Sequence, residues 1–281
     1  SKEAIQLLLN TYPFSNADPE LQTKLVERLV ILIEKNPNQL SKADRAKLTT
    51  PLSNPKLRSI QAELFANLKD CPAIRSLLGN FSQPHSEMDW RLLGQCYQNE
   101  APGLSEYAYQ KAMQLNPSVD NIRAFAYQAF ATKNYSQSIN AWKSIPLDRL
   151  SPSDLESAAL TAVSSRDLNL AGTWLTQFEK MNGRKDALYW WLKAQIALPD
   201  DPSVAAEYLY KAIALNPTVD YYSLLAEIEE KQQHPQIAIE LLQKALALDP
   251  SNTITQASLA YALYQAGDIR QSRELLMTAY Q

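Results

Sequence analysis

Trp90-Arg-Leu-Leu-Gly94-Gln-Cys-Tyr97, then Ser105-x3-Tyr109-x2-Ala112, closed by Leu115-Asn-Pro117, is the stretch that decides the fold of this chain. Steps of three and four place Trp90, Leu93, Gly94 and Tyr97 on one face of a helix, and Ser105, Tyr109 and Ala112 on one face of a second. The small residues Gly94 and Ser105 let the two axes approach closely, and Tyr109 fills the gap beside them. A two-helix unit of this size cannot bury its own apolar face and must stack on neighbours.

The unit recurs. Lys111-Ala112, Lys211-Ala212 and Lys244-Ala245 each precede Leu-Asn-Pro or Leu-Asp-Pro, and the three pairs stand 100 and 33 residues apart. Since 100 is close to three times 33, two further copies are expected in between. The second-helix sets are Ser105/Tyr109/Ala112, Ser138/Trp142/Ile145, Ala171/Leu175/Phe178, Ala205/Leu209/Ala212, Ala238/Leu242/Ala245 and Ser272/Leu276/Ala279, in steps of 33, 33, 34, 33 and 34. Each has a first helix before it, with a small slot at Gly94, Ala126, Ala159, Ala226 and Ala260. Lys193 stands where the remaining slot is expected, so that pair should pack more loosely or turn slightly.

Trp90-x2-Leu93-Gly94-x2-Tyr97 resembles the first-helix signature of the tetratricopeptide repeat, and the resemblance covers residues 86–281. It implies an all-α, right-handed superhelical solenoid of about six helix pairs over that range. Residues 1–85 read as irregular, degenerate helix pairs, with apolar faces near 2–11, 18–35, 41–49, 55–69 and 72–80. Both ends look like cuts through helical patterns, so the expectation is a fragment of a larger protein.

Composition narrows the function. Apolar residues make up 46% of 281 residues and charged residues 20%, enough for a large core and too few charges for a disordered chain. The net charge of −3 comes without a basic run, which argues against nucleic acid. Only six glycines are present, against phosphate-cradling loops and in favour of helices. No apolar stretch is long enough to span a bilayer. His85 and His234, far apart and without metal-ligand spacing, read as exposed loop histidines. Glu229-Glu230 and Asp200-Asp201 read as solvated surface. No catalytic, cofactor or metal motif is found, and an enzyme is not expected.

The face of the first helices opposite the small slot is expected to line a concave groove carrying Arg91, Gln95, Gln98, Arg123, Tyr127, Trp190, Tyr261 and Tyr264. Aromatic rings stack on sugars or peptide side chains, while Arg and Gln supply hydrogen bonds. Of the adjacent Trp190 and Trp191, both cannot face one core. The Lys and Asn pattern with which cochaperone repeats clamp a carboxylate is not evident. Cys71 should open a second helix and Cys96 lie near the end of the next first helix, so their sulfurs can meet. A disulfide, and with it an oxidising compartment, stands beside two reduced buried thiols as an equal reading.

Asn67–Gly79 and Met88–Pro117 are also similar to the bacteriophage-adsorption proteins of enteric bacteria. That resemblance implies an outer-membrane protein with a periplasmic repeat region and a separate membrane barrel. It is similar in plan to exporters of cellulose and poly-N-acetylglucosamine, works with an inner-membrane glycosyltransferase, and serves as a phage receptor. This chain would then be the periplasmic scaffold, contacting the glycosyltransferase, the emerging polysaccharide or a phage adsorption protein. The bonded cysteine pair would follow, and no catalytic residue carries over. The alternative is a cytoplasmic adaptor holding a peptide of a partner protein.

Overall fold

Proline and small polar side chains set the rhythm of the chain. Pro stands in the first turn of helices beginning at Pro19, Pro55, Pro102, Pro152, Pro202 and Pro235, where its missing N–H costs nothing. Ser86 and Ser151 close capping boxes with Asp89 and Asp154, each satisfying two backbone donors. The computed structural model that shows this describes residues 2–14 and 17–279, the side chains of Thr278 and Ala279 excepted. Ala279 of the sixth set therefore lies outside the described side chains. Among the described residues there are α-helices and two short 3-10 turns, and no strand.

The chain divides into two compact units, Ser1–Ile145 and Pro146–Gln281. The first holds α1 (Lys2–Thr11), α2 (Pro19–Glu34), α3 (Lys42–Leu48), α4 (Pro55–Asn67), α5 (Cys71–Leu78), α6 (Glu87–Tyr97), α7 (Pro102–Leu115), α8 (Val119–Ala131) and α9 (Tyr135–Ser144). The second holds α10 (Pro152–Ser164), α11 (Leu168–Lys180), α12 (Ala187–Ala197), α13 (Pro202–Leu215), α14 (Val219–Lys231), α15 (Pro235–Leu248), α16 (Thr253–Gln265) and α17 (Ile269–Ala279). From α4 onward the helices pack as pairs, and within each unit a pair's second helix packs on the first helix of the next. In the first unit one apolar core runs from Leu9, Leu29 and Ile33 through Phe65 and Leu77 to Leu93 and Ala112. In the second, a core extends from Ala194 and Leu209 through Leu225 and Leu242 to Leu263.

The small slots are fastened by hydrogen bonds. Ser105 Oγ donates to the Gly94 carbonyl at 2.7 Å, Ser138 Oγ to Ala126 at 2.8 Å and Ser272 Oγ to Ala260 at 2.7 Å. These serines are buried, and each finds its acceptor where the two axes come closest, so Ser and Ala are interchangeable there without an orphaned hydroxyl. A residue added at Gly94 would place its Cβ 2.8 Å from the Tyr109 ring, so Tyr109 fills the space a larger slot residue would need.

Two kinds of turn join the pairs. From α4 onward, five of the turns inside a pair place a residue at positive φ, namely Lys69, Lys133, Arg166, Gln233 and Gly267, and Asn182 does so in the turn from α11 to α12. The next residue donates back to a carbonyl five positions earlier, as Asn134 N–H does to Ala129 at 2.7 Å and His234 N–H to Glu229 at 2.8 Å. The α6–α7 and α12–α13 turns have no such residue; Ala101 N–H donates to Tyr97 and Asp201 N–H to Ala197, both at 2.8 Å. That turn is one residue shorter from slot to slot: Gly94 to Ser105 is 11, whereas Ala126 to Ser138 is 12.

The shorter turn corrects the sequence reading of α12. Its slot is Ala194, buried and 11 residues before Ala205, while Lys193 stands beside it. The α12–α13 pair packs as closely as α6–α7 and α14–α15, so the looser packing expected of it does not occur. Lys193 turns its ammonium to Glu179 Oε1, 3.3 Å away, and the Tyr189 hydroxyl donates to the same oxygen at 2.6 Å. The Tyr189 hydrogen bond, with the Lys193 charge behind it, holds the Glu179 carboxyl below the usual range.

Left-handed backbone at a non-glycine residue costs about 1 kcal/mol, which glycine avoids. Gln233→Gly is therefore expected to raise the stability of the second unit by a few tenths to about 1 kcal/mol, read as a higher denaturant midpoint.

Candidate functional site

With the slots located, the outer face of each first helix can be indexed from them. Three residues before the slot stand Arg91 on α6 and Arg123 on α8; one after it stand Gln95 and Tyr127. These two rows belong to the first unit. Gln95 and Gln98 are exposed, and Tyr127 is exposed at 39% with its ring edge-on to Trp142, centroids 5.1 Å apart. Arg91 and Arg123 pair within their own helices, with Glu87 at 3.8 Å and Asp120 at 2.7 Å. Such surface pairs hold a side chain in place more than they stabilise the fold.

In the second unit the corrected register changes which tryptophan takes the outer row. Three residues before the slots stand Glu156 on α10, Trp191 on α12, Ser223 on α14 and Ala257 on α16. Trp191, not Trp190, is the counterpart of Arg91. Trp190 is partly buried against the second helix of its own pair, 5.6 Å from the Tyr208 ring and with the Lys211 ammonium 4.5 Å above it. It repeats Trp90, which lies exactly 100 residues earlier and packs on Tyr107. Tyr261 and Tyr264 are both exposed but border different clefts. Tyr261 lines one of about 480 Å³ with Glu230, Ile254 and Ala257, and Tyr264 one of about 400 Å³ with Ile269 and Leu276.

Sequence reading missed a group around Trp191. The Tyr221 ring at the start of α14 lies 6.5 Å from Trp191, the two planes 27° apart. α10, which carries Glu156, packs on α12, whose N-cap is Asp186. Burial first, then the Asp186 charge, pushes the Glu156 carboxyl above its usual range. Burial, with the charges of Asp186, Asp220 and Glu156, likewise pushes up the Tyr221 hydroxyl.

Two surface assignments are also corrected. Glu229 is buried, accepting from the Tyr210 hydroxyl at 3.3 Å and paired with His234 Nδ1 at 2.9 Å. His85 is part-buried, its ring edge-on to Trp90 at 4.9 Å and Nε2 3.1 Å from the Asn80 carbonyl; burial lowers its pKa. Cys71 at the head of α5 and Cys96 in α6 are joined by a disulfide, their Cα atoms 5.1 Å apart. Beside it Arg75 donates to the Cys96 carbonyl at 2.9 Å and pairs with Glu100 at 3.0 Å. Among the described residues no group of three or more His, Cys, Asp or Glu is placed to hold a metal, and no helix is long and apolar enough to cross a membrane.

A helix-pair repeat fastened slot to slot is what the tetratricopeptide repeat model describes, and that model matches residues 229–279. The fold is that of an all-α tetratricopeptide-repeat solenoid. Its repeats are similar in fold to the C-terminal part of a TPR repeat-containing protein from Cytophaga hutchinsonii, with a TM-score of 0.55 and 15% identity over 83% of this chain and 99% of that one. They are similar also to a chain of the APC/C hetero-tetramer Cut9-Hcn1, with a TM-score of 0.53 and 13% identity over 92% of this chain and 55% of that one. In sequence the chain is 38% identical over 280 residues, its whole length, to bacteriophage adsorption protein A of Escherichia coli K12. It spans 28% of the length of that relative. The tetratricopeptide repeats here are thus a scaffold related to a stretch of a longer phage-adsorption protein.

Proposed function

We propose that this chain is the non-catalytic, periplasmic binding scaffold of an outer-membrane protein that takes part in exopolysaccharide secretion and acts as a phage adsorption receptor. The observation that carries the reading is the 38% identity to bacteriophage adsorption protein A along the entire chain. The Cys71–Cys96 bond supports it, because such bonds persist in oxidising compartments and are rare in the cytosol. Exposed aromatic and amide side chains on the first helices, Tyr127, Gln95 and Tyr261 among them, supply stacking and hydrogen bonds for a partner protein or a glycan. An inner-membrane glycosyltransferase is the partner this plan calls for.

Photo-crosslinking from positions Gln95, Tyr127 and Tyr261 of the protein in intact cells tests this. Crosslinks to a membrane glycosyltransferase or to nascent polysaccharide are expected. Crosslinks confined to cytoplasmic proteins would replace the proposal with a cytoplasmic peptide-binding adaptor.

A further inference from the structure

We propose that Trp191 and Tyr221, together with Glu156 and Asp186, form a receptor for the guanidinium group of an arginine on a protein partner. Four observations meet at this place. The two rings lie with planes 27° apart on neighbouring first helices, and aromatic faces attract cations. α10, which carries Glu156, packs on α12, whose N-cap is Asp186, and both carboxylates are near enough for their charges to act on the Tyr221 hydroxyl. Glu156 Oε1 is closed off from solvent without a hydrogen-bond partner, and so is Ser223 Oγ in the same outer row. Finally, the ammonium groups of α12, α13 and α14 are engaged elsewhere: Lys193 with Glu179, Lys211 over Trp190, and Lys231 with Glu227.

Buried polar atoms are nearly always hydrogen-bonded, so an orphaned carboxylate oxygen near a second carboxylate is costly. A cation reaching Glu156 would offset that cost. Arginine fits better than lysine: its planar fork bonds a carboxylate through two N–H groups while its face stacks on indole or phenol. Trp191 stands in the same outer row as Ala257, which borders the cleft of Tyr261 in the second unit, so the inference rests on the reading proposed above and deepens it by naming the chemistry of the partner.

Titration calorimetry of the 281-residue chain with an acetylated peptide carrying two arginines tests it, beside the same peptide with citrulline for arginine and a glucosamine oligomer. The arginine peptide should bind about tenfold or more tightly than its citrulline twin, and Glu156→Gln and Trp191→Ala should each remove about tenfold of its affinity. Glu240→Gln, on the second helix α15, should change nothing. If Trp191→Ala loses helicity, Glu156→Gln and Trp191→Phe decide. Equal binding of the two peptides, an unaltered affinity in Glu156→Gln, or a glucosamine oligomer that binds these residues more tightly than the arginine peptide overturns the proposal. Such a result removes this receptor only; the envelope reading stands or falls on the crosslinking.

Discussion

Trp142→Ala should destabilise the first unit by about 3–5 kcal/mol, whereas Leu276→Ala should cost the second well under about 1 kcal/mol. Both side chains take the same place in their repeats, the large residue four positions after the small one. Trp142 is 1% exposed and packs against Tyr127, so its loss leaves a cavity the size of an indole between α8 and α9. Leu276 is 42% exposed and gives up little on truncation. Chemical denaturation followed by far-UV circular dichroism reads both. Similar losses in the two variants would mean that the repeat position, and not the packing around it, sets the energy.

Breaking the Cys71–Cys96 bond should cost the second-largest amount. It closes 25 residues of sequence, and chain entropy sets its stabilisation at about 3 kcal/mol. Reduction, or the Cys71→Ser/Cys96→Ser pair, should lower the denaturant midpoint of the first unit by that equivalent. Helix content at zero denaturant should hold, because other contacts still tie α5 to α6. Arg75 bridges to the Cys96 carbonyl and Glu100, and the buried Ile74, Leu77 and Leu93 keep the helices in one core. A midpoint indifferent to reductant would show that the bond does not form or does not hold the unfolded chain together.

Most of the fold was legible because its signals are local. Pro102, Pro202 and Pro235 start helices wherever they stand, and the small residues at Ala126, Ala159 and Ala260 mark where axes meet. The register of α12 was not legible from steps of 33 and 34 alone, since a turn one residue shorter moves the slot from Lys193 to Ala194. A signal was present: Trp90, Pro102 and Lys111-Ala112 recur at Trp190, Pro202 and Lys211-Ala212, each 100 residues on. Following that spacing puts Trp191 on the outer face.

What the sequence hid were contacts between elements. Glu229 is read as surface beside Glu230 because only the fold brings Tyr210 and His234 to it. Glu156, Asp186 and Tyr221 lie on three elements with no common spacing, so no motif could gather them. The cysteine pair was balanced between bonded and free for the same reason: whether two sulfurs meet depends on a few ångströms between α5 and α6.

The functional account depends on the compartment in which these repeats work, and the state of two sulfur atoms reports it. Alkylation of the unreduced protein, taken from its own cells and weighed by mass spectrometry, should find no free thiol at Cys71 or Cys96. Both thiols alkylated without reductant would contradict the periplasmic scaffold.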